Sequence, residues 1–483
     1  MNFKAAAAWR QEPATIAAAF LLLIAIILGG GGADGPLTNG IVEAVAALVL
    51  TAMAAMHFSG RPLPPEAKGP VWFIAATLLL ILFQLIPLPP SIWAALPGRE
   101  TAVSVSRLIE HGNEWRPLSL DPESTRQHAA ALLVPAAVLL SAIGASHRGL
   151  VFLNRTLIVG ALLSALLGAL QIALGSPSGL FLYGHTFPGI ASGFFANPNH
   201  QAELMLAGLI ATGLMIRLEP PQVRIRRAGG ERMVHLGWLL FPIFMALAVA
   251  AQSRAGMILL IPATAASALI ASRRKGTGKM LIGFFALVAA LVIIVAFTPG
   301  SLERTLHLKS MVTEGRIVFL PDVIYTLNQY WRWGSGLGTF EPVFQANENL
   351  DFVQAAWVNH AHNDLLEWLL ETGLPGAVLL AAALIALLWR MIRLMLSRAA
   401  TDPAPALAGF TIIVLLLFHS LVDYPLRMRS LAAVAAIAIA FVVSRAQQRP
   451  AADLAAAKSR RRKGFSRAAS AMPARRPLGS SAR

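Results

Sequence analysis

Twelve apolar runs dominate this chain, and they leave it one fold class. They lie near 14–28, 41–57, 71–87, 128–145, 150–174, 200–216, 235–251, 254–271, 279–297, 374–396, 405–421 and 429–444. Several approach or exceed the ~18 residues that let a helix cross a bilayer. Backbone polar groups in hydrocarbon must be paired within the segment, so such runs form helices. The expectation is an all-α polytopic membrane protein of about 12 transmembrane helices. Composition agrees: 56% of the 483 residues are hydrophobic and 13% charged, against ~45–50% and ~25% in soluble domains. A soluble enzyme, a fibrous protein and a mainly disordered chain are excluded. The lack of cysteine removes disulfides, thiol nucleophiles, thiolate zinc sites and iron–sulfur clusters.

The first run follows Lys4 and Arg10, as in a signal peptide. Gly29 to Gly32 and Asp34 then offer no small-x-small cleavage site, so the run reads as a retained anchor. Lysine and arginine set the orientation. With the N-terminus in the cytoplasm, 29 of the 40 basic residues fall on inner segments, but only 6 of the 24 acids. Both termini are therefore expected inside. The tail, 445–483, carries 11 basic residues and one acid. Its Arg460 to Lys463 run could bind nucleic acid in a soluble protein. Here it reads as a disordered topology anchor beside anionic lipid, with no nucleic-acid partner.

The chain divides into a nine-helix region, 1–297, with an outer loop near 88–127; a large outer loop, 298–373; a three-helix region, 374–444; and the tail. A large polar loop on one side suggests a site facing that side. In the first loop, Arg107, Glu110 and Arg116 are candidates for acceptor contact.

The loop 298–373 is the most informative stretch. It contains Asn359-His360-Ala361-His362-Asn363-Asp364, then a short amphipathic helix stopped by Gly373 and Pro375. His362, Leu366 and Leu369 share one helical face; His360, Asp364, Glu367 and Glu371 share a more polar one. On that geometry His362 sits at the mouth of the packed side and His360 looks toward water. A neutral imidazole can take a proton from a hydroxyl, so His362 is the better general-base candidate. The alternative is a histidine that caps or packs the helix start. His-x-His-x-Asp also offers three metal ligands, but the basic residues nearby favour an anionic substrate, and neither metal nor cofactor is expected.

Arg316 falls in the first turn of a helix that Thr313 would cap, with Ile317, Leu320, Ile324 and Leu327 as its apolar stripe. An anion at that N-terminus would suit Arg316; an ion pair with Glu314 is the equal alternative. Arg254 follows Gln252-Ser253 in a short outer turn, at the depth of a lipid diphosphate; the alternative is snorkelling to headgroups. Gly334-Ser-Gly-Leu-Gly-Thr-Phe340 lacks dinucleotide-binding spacing and reads as a tight turn for close backbone approach. Asn197 and Asn199 read as turn and cap residues that could also bond a sugar. Glu203 is a buried acid with His200 as candidate partner. Asp423 could pair with Arg427 or Arg429.

In family order, Phe195-Ala-Asn197-Pro-Asn199, Ser253-Arg254-Ala-Gly256, Gly315-Arg316, Gly334 to Phe340, His360-Ala-His362-Asn363-Asp364, Glu371-Thr-Gly373-Leu-Pro-Gly376 and His419-Ser-Leu-Val-Asp423-Tyr-Pro cover roughly residues 190–430. This pattern resembles the O-antigen ligase and polymerase superfamily. The resemblance implies a bacterial inner-membrane glycosyltransferase with a C-type-like helical fold and its active site facing the periplasm. It implies metal-independent, inverting transfer of a glycan from undecaprenyl diphosphate to an acceptor hydroxyl. It further implies that Arg254 and Arg316 bind the diphosphate and His362 activates the acceptor. His360, Asn363, Asn197 and Asn199 are the supporting or acceptor-site candidates. Lipid A–core is the first acceptor reading and a growing polysaccharide the second. Transfer to protein hydroxyls and a polysaccharide transporter follow, the last disfavoured by the scarcity of charges within the spans.

Overall fold

The computed structural model describes residues 13–60, 63–218, 229–272, 315–352, 358–396 and 402–444. It is built from helices: α1 Pro13–Leu28, α2 Pro36–Phe58, α3 Lys68–Gln84, α4 Pro90–Ala94, α5 Glu100–Leu108, α6 Pro122–Ala131, α7 Leu133–Ala142, α8 His147–Ala173, α9 Pro198–Leu218, α10 Gly229–Ala250, α11 Arg254–Ser272, α12 Gly315–Tyr330, α13 Phe340–Gln345, α14 Asp364–Leu396, α15 Ala404–His419 and α16 Arg429–Val443. Two-residue strands, β1 Pro87–Leu88 and β2 Arg116–Pro117, pair antiparallel with Leu88 opposite Arg116. Among the described residues, six helices have the length and apolar composition to cross a membrane. Every predicted run overlaps described helices except 279–297, which lies outside the described residues, as do the tail and Thr313. The run 128–145 is broken at Leu132, where polar α6 gives way to apolar α7.

The centre of the bundle is α9, buried on all sides among α8, α10, α11 and α15. Small residues permit this. A side chain at Gly208 would press on Phe244 and Ala161, and one at Gly213 on Ser267. Hydrogen bonds then cross the contacts: Ser267 to the Leu209 carbonyl at 2.6 Å, Asn154 to the Ala211 carbonyl at 2.9 Å and Ser164 to Gln201 at 2.6 Å. Helices α3 and α14 stand away from this centre. With α7, α15 and α16 they frame an apolar recess of about 1610 Å³, lined by Phe73, Leu384, Leu416 and Ile439 among others.

One end of the bundle carries the connections that matter. Glycines 29–32 let the turn after α1 pass close to its neighbours: a Cβ at Gly30 would strike the Phe194 carbonyl, and one at Gly31 the Tyr183 ring. Ala196 donates to the Gly30 carbonyl and Ser430 to that of Gly29, drawing three connections together. Above them, α12, α13 and the start of α14 enclose a second core of Val323, Tyr330, Phe340, Phe344 and Leu370. The predicted stripe of α12 is corrected here. Leu320 and Ile324 are exposed, whereas Val323, Thr326 and Tyr330 are buried, because α13 and α14 cover the adjacent face.

Candidate functional site

Asn363 starts the site. Its Oδ1 accepts from the backbone of Leu365 and Leu366, both at 3.0 Å, and caps α14. Its amide donates to the Leu421 carbonyl, and the Asp364 backbone donates to that of Ser420. The histidine motif is thereby fastened to the connection between α15 and α16.

That connection overturns the expected orientation of the motif. The polar face of α14 is the buried one, because Arg427 rises beneath it. Arg427 lies 2.7 Å from Glu371, 3.4 Å from Glu367 and 3.9 Å from Asp364. Burial alone would lower its pKa; Glu367, Glu371 and Asp364 outweigh that and raise it above the ordinary arginine range. His360 does not look toward water. Its side chain is 12% exposed, and its Nδ1 lies 2.8 Å from Glu367, whose other oxygen accepts from the Ala361 backbone.

His362 adopts a left-handed backbone, φ 49°, uncommon for any residue with a Cβ. Its Nδ1 lies 3.0 Å from the His360 carbonyl. Only a protonated nitrogen can bond a carbonyl oxygen, so in the neutral ring Nε2 carries the lone pair. Tyr424 stands between the two imidazoles, its ring centroid 4.2 Å from His360 and 5.0 Å from His362. Burial, then the charge of Asp423, raises the Tyr424 pKa.

The Phe319 ring of α12 lies 5.7 Å from His362. This brings the start of α12, and so the backbone of Arg316, toward the histidine; the Arg316 side chain lies outside the described residues. Arg254 opens α11, half-buried, after Gln252 at φ 52°. Ser253 caps that helix by accepting from Gly256 at 3.1 Å.

A pocket of about 290 Å³ opens beside His360, lined by Asn197, His200, Asn359, Tyr424 and, at its rim, Asp34 and His185. Asn197 is both cap and lining: its Oδ1 accepts from the Asn199 backbone at 2.9 Å. Asn199 donates to Asp423 at 2.5 Å instead of facing the pocket. Glu203 pairs with His419 at 2.9 Å, not with His200. Asp423 pairs with neither nearby arginine, since Arg429 takes Glu43 at 2.8 Å and Arg427 the three carboxylates.

The glycine turn presses backbone on backbone. Gly334, Gly336 and Gly338 all have positive φ, and side chains there would strike the Glu371 carbonyl, Ser119 and His128 respectively. Gln84 at the end of α3 donates to the Glu371 carbonyl at 2.8 Å and accepts from Leu337 at 3.0 Å, closing the joint. In the first loop, Arg116 bonds Ser106 and sits over Trp93. Arg99 is buried between Trp93 and Tyr330, and burial lowers its pKa to about 10. Arg99 thereby ties the loop to α12.

Sequence reading missed Arg427, Tyr424, His200, Asn359 and Asp34 as parts of one site. Charged residues at the ends of apolar runs were the available signal for Arg427. No curated protein matches the chain. Residues 238–381 match the family described as O-Antigen ligase. That stretch holds Arg254, Arg316, the glycine turn, both histidines and the three carboxylates around Arg427. Over this stretch, under a third of the chain, the sequence is similar to that family.

Proposed function

We propose that this chain moves a glycan from undecaprenyl diphosphate to a hydroxyl of lipid A–core, as an inverting, metal-independent ligase of the bacterial inner membrane. On this reading both termini are cytoplasmic and the histidine site faces the periplasm. The observation that carries it is the 3.0 Å approach of His362 Nδ1 to the His360 carbonyl, which in the neutral ring puts the proton on Nδ1 and the lone pair on Nε2.

The acceptor oxygen attacks the anomeric carbon opposite the diphosphate. Its proton passes to His362 Nε2, the new glycosidic C–O bond forms, and the old C–O electron pair leaves with the diphosphate. Arg254 and Arg316 neutralise the leaving group by charge-assisted hydrogen bonds, which removes the usual need for a metal. His360, Asn363, Asn197 and Asn199 support the base and the substrate.

The test is the lipopolysaccharide and exopolysaccharide profile of a deletion strain carrying wild type or His362→Ala. Loss of long-chain lipopolysaccharide with lipid-linked polymer accumulating supports the ligase. Loss of polymer length with single repeats on the carrier points to a polymerase. An unchanged profile, or rescue by His362→Ala, overturns the reading.

A further inference from the structure

His200 is fully buried, yet neither of its ring nitrogens makes a hydrogen bond; the nearest acid oxygen, on Asp423, is 3.8 Å away. Buried imidazoles are hydrogen-bonded in folded proteins, so one that is not and that lines a cavity asks for a partner inside it. The cavity is the pocket beside His360. Its volume, about 290 Å³, lies at the lower edge of the ~300–1,000 Å³ that drug-sized ligands occupy. One small ring fits inside it.

The lining selects the chemistry of that ring. Asn197, Asn359 and Tyr424 line the pocket together, which sets two amides beside one aromatic ring. Asp34 stands at the rim beside His185, 3.3 Å away. No lysine or arginine lines the pocket. The nearby Arg427 and Arg429 are committed to carboxylates, and the acids Asp34, Asp423 and Glu367 stand at the rim or behind the histidines. An anion such as a diphosphate would gain nothing here. Among the described residues no three His, Asp or Glu side chains converge to hold a metal ion. A polyol suits all of it: hydroxyls to amides, imidazole and carboxylate, and a C–H face to the aromatic ring.

We propose that this pocket binds one neutral sugar ring of the glycan substrates, with His200 as the buried hydrogen-bonding partner and Asn197, Asn359 and Asp34 around it. The proposal rests on the glycosyltransferase reading above and adds a subsite that takes sugar without phosphate. The ring could come from the acceptor or from the donor beyond its diphosphate, and the experiment separates these.

The full chain, purified in detergent, is titrated with methyl glucoside, methyl galactoside and N-acetylglucosamine under saturation-transfer NMR, with inorganic pyrophosphate as competitor. Expected are millimolar binding of at least one sugar, no competition by pyrophosphate, and at least fivefold weaker binding in Asp34→Ala and His200→Phe. Asp34 is exposed, so its variant reports even if a change at His200 unfolds the protein. Binding of none of the sugars, displacement by pyrophosphate, or wild-type binding in Asp34→Ala overturns the proposal. In a transfer assay with purified donor and acceptor, Asp34→Ala raising the acceptor KM assigns the ring to the acceptor; raising the donor KM assigns it to the donor. Sugar binding without any transfer would defeat the ligase reading alone. His362-dependent transfer without sugar binding would defeat the subsite alone.

Discussion

The Nδ1 of His360 lies 2.8 Å from Oε1 of Glu367, and the same carboxylate faces Arg427 at 3.4 Å. A histidine at the pocket is thus braced by an acid that is braced by an arginine. The brace also supports His362, because the His360 carbonyl that orients it belongs to the backbone the brace fixes.

Removing the charge of that brace tests it. Glu367→Gln keeps the shape and the backbone bond to Ala361 but weakens the pairing with His360 and Arg427. Charge-assisted hydrogen bonds are about twice as strong as neutral ones. The variant is expected to accumulate in membranes at reduced level and to transfer glycan about tenfold more slowly. Wild-type kcat would show that the brace does not reach the reaction.

His362→Ala removes the proposed base. A positioned base contributes about 10²–10⁴-fold, so transfer by the purified protein should fall by that range while melting temperature changes little, the ring being only partly buried. A loss below tenfold would reassign the base, and His360 would be the next residue to replace.

Arg254→Lys and Arg316→Lys retain charge but lose the planar fork that bonds two phosphate oxygens. Each is expected to lower kcat/KM for the lipid-linked donor about tenfold, with the acceptor KM unchanged. Equal effects on both substrates would place the arginines outside the diphosphate site.

Arg427→Met leaves three buried carboxylates without their common cation. Breaking a buried ion pair from one side costs about 3–5 kcal/mol. The variant should fail to accumulate or melt far below wild type, and Arg427→Lys should recover part of the loss. A stable Arg427→Met protein would mean that the carboxylates bind protons in place of the guanidinium.

Much of this was legible before any coordinates. Apolar runs marked the helices, and the order of short motifs pointed to the family that residues 238–381 match, because both depend on residue type at fixed spacing. What was hidden depends on distant partners. The polar face of α14 looks solvent-bound on its own; only Arg427, supplied by a separate connection, makes it the interior. Helix α12 buries Val323 and Thr326 instead of Leu320 and Ile324 because α13 and α14 decide which side is covered. Glu203 found His419 instead of nearby His200 because α9 packs against α15. The expected twelve-span count and the placement of Arg316's side chain rest on residues outside those described.

Gly373 interrupts α14 at φ 64° and ψ −164°, a conformation open to glycine almost alone. The backbone of Trp333 and Gly334, packed against it, leaves no room for a Cβ. The helix is therefore two levers on one pivot. The short lever carries Asp364, Glu367 and Glu371 and is clamped by Arg427 and Gln84. The long lever, past Pro375, is largely exposed along its length. A tilt of the long lever would be taken up at Gly373, leaving the short one, held by Arg427 and Gln84, in place beneath the histidines.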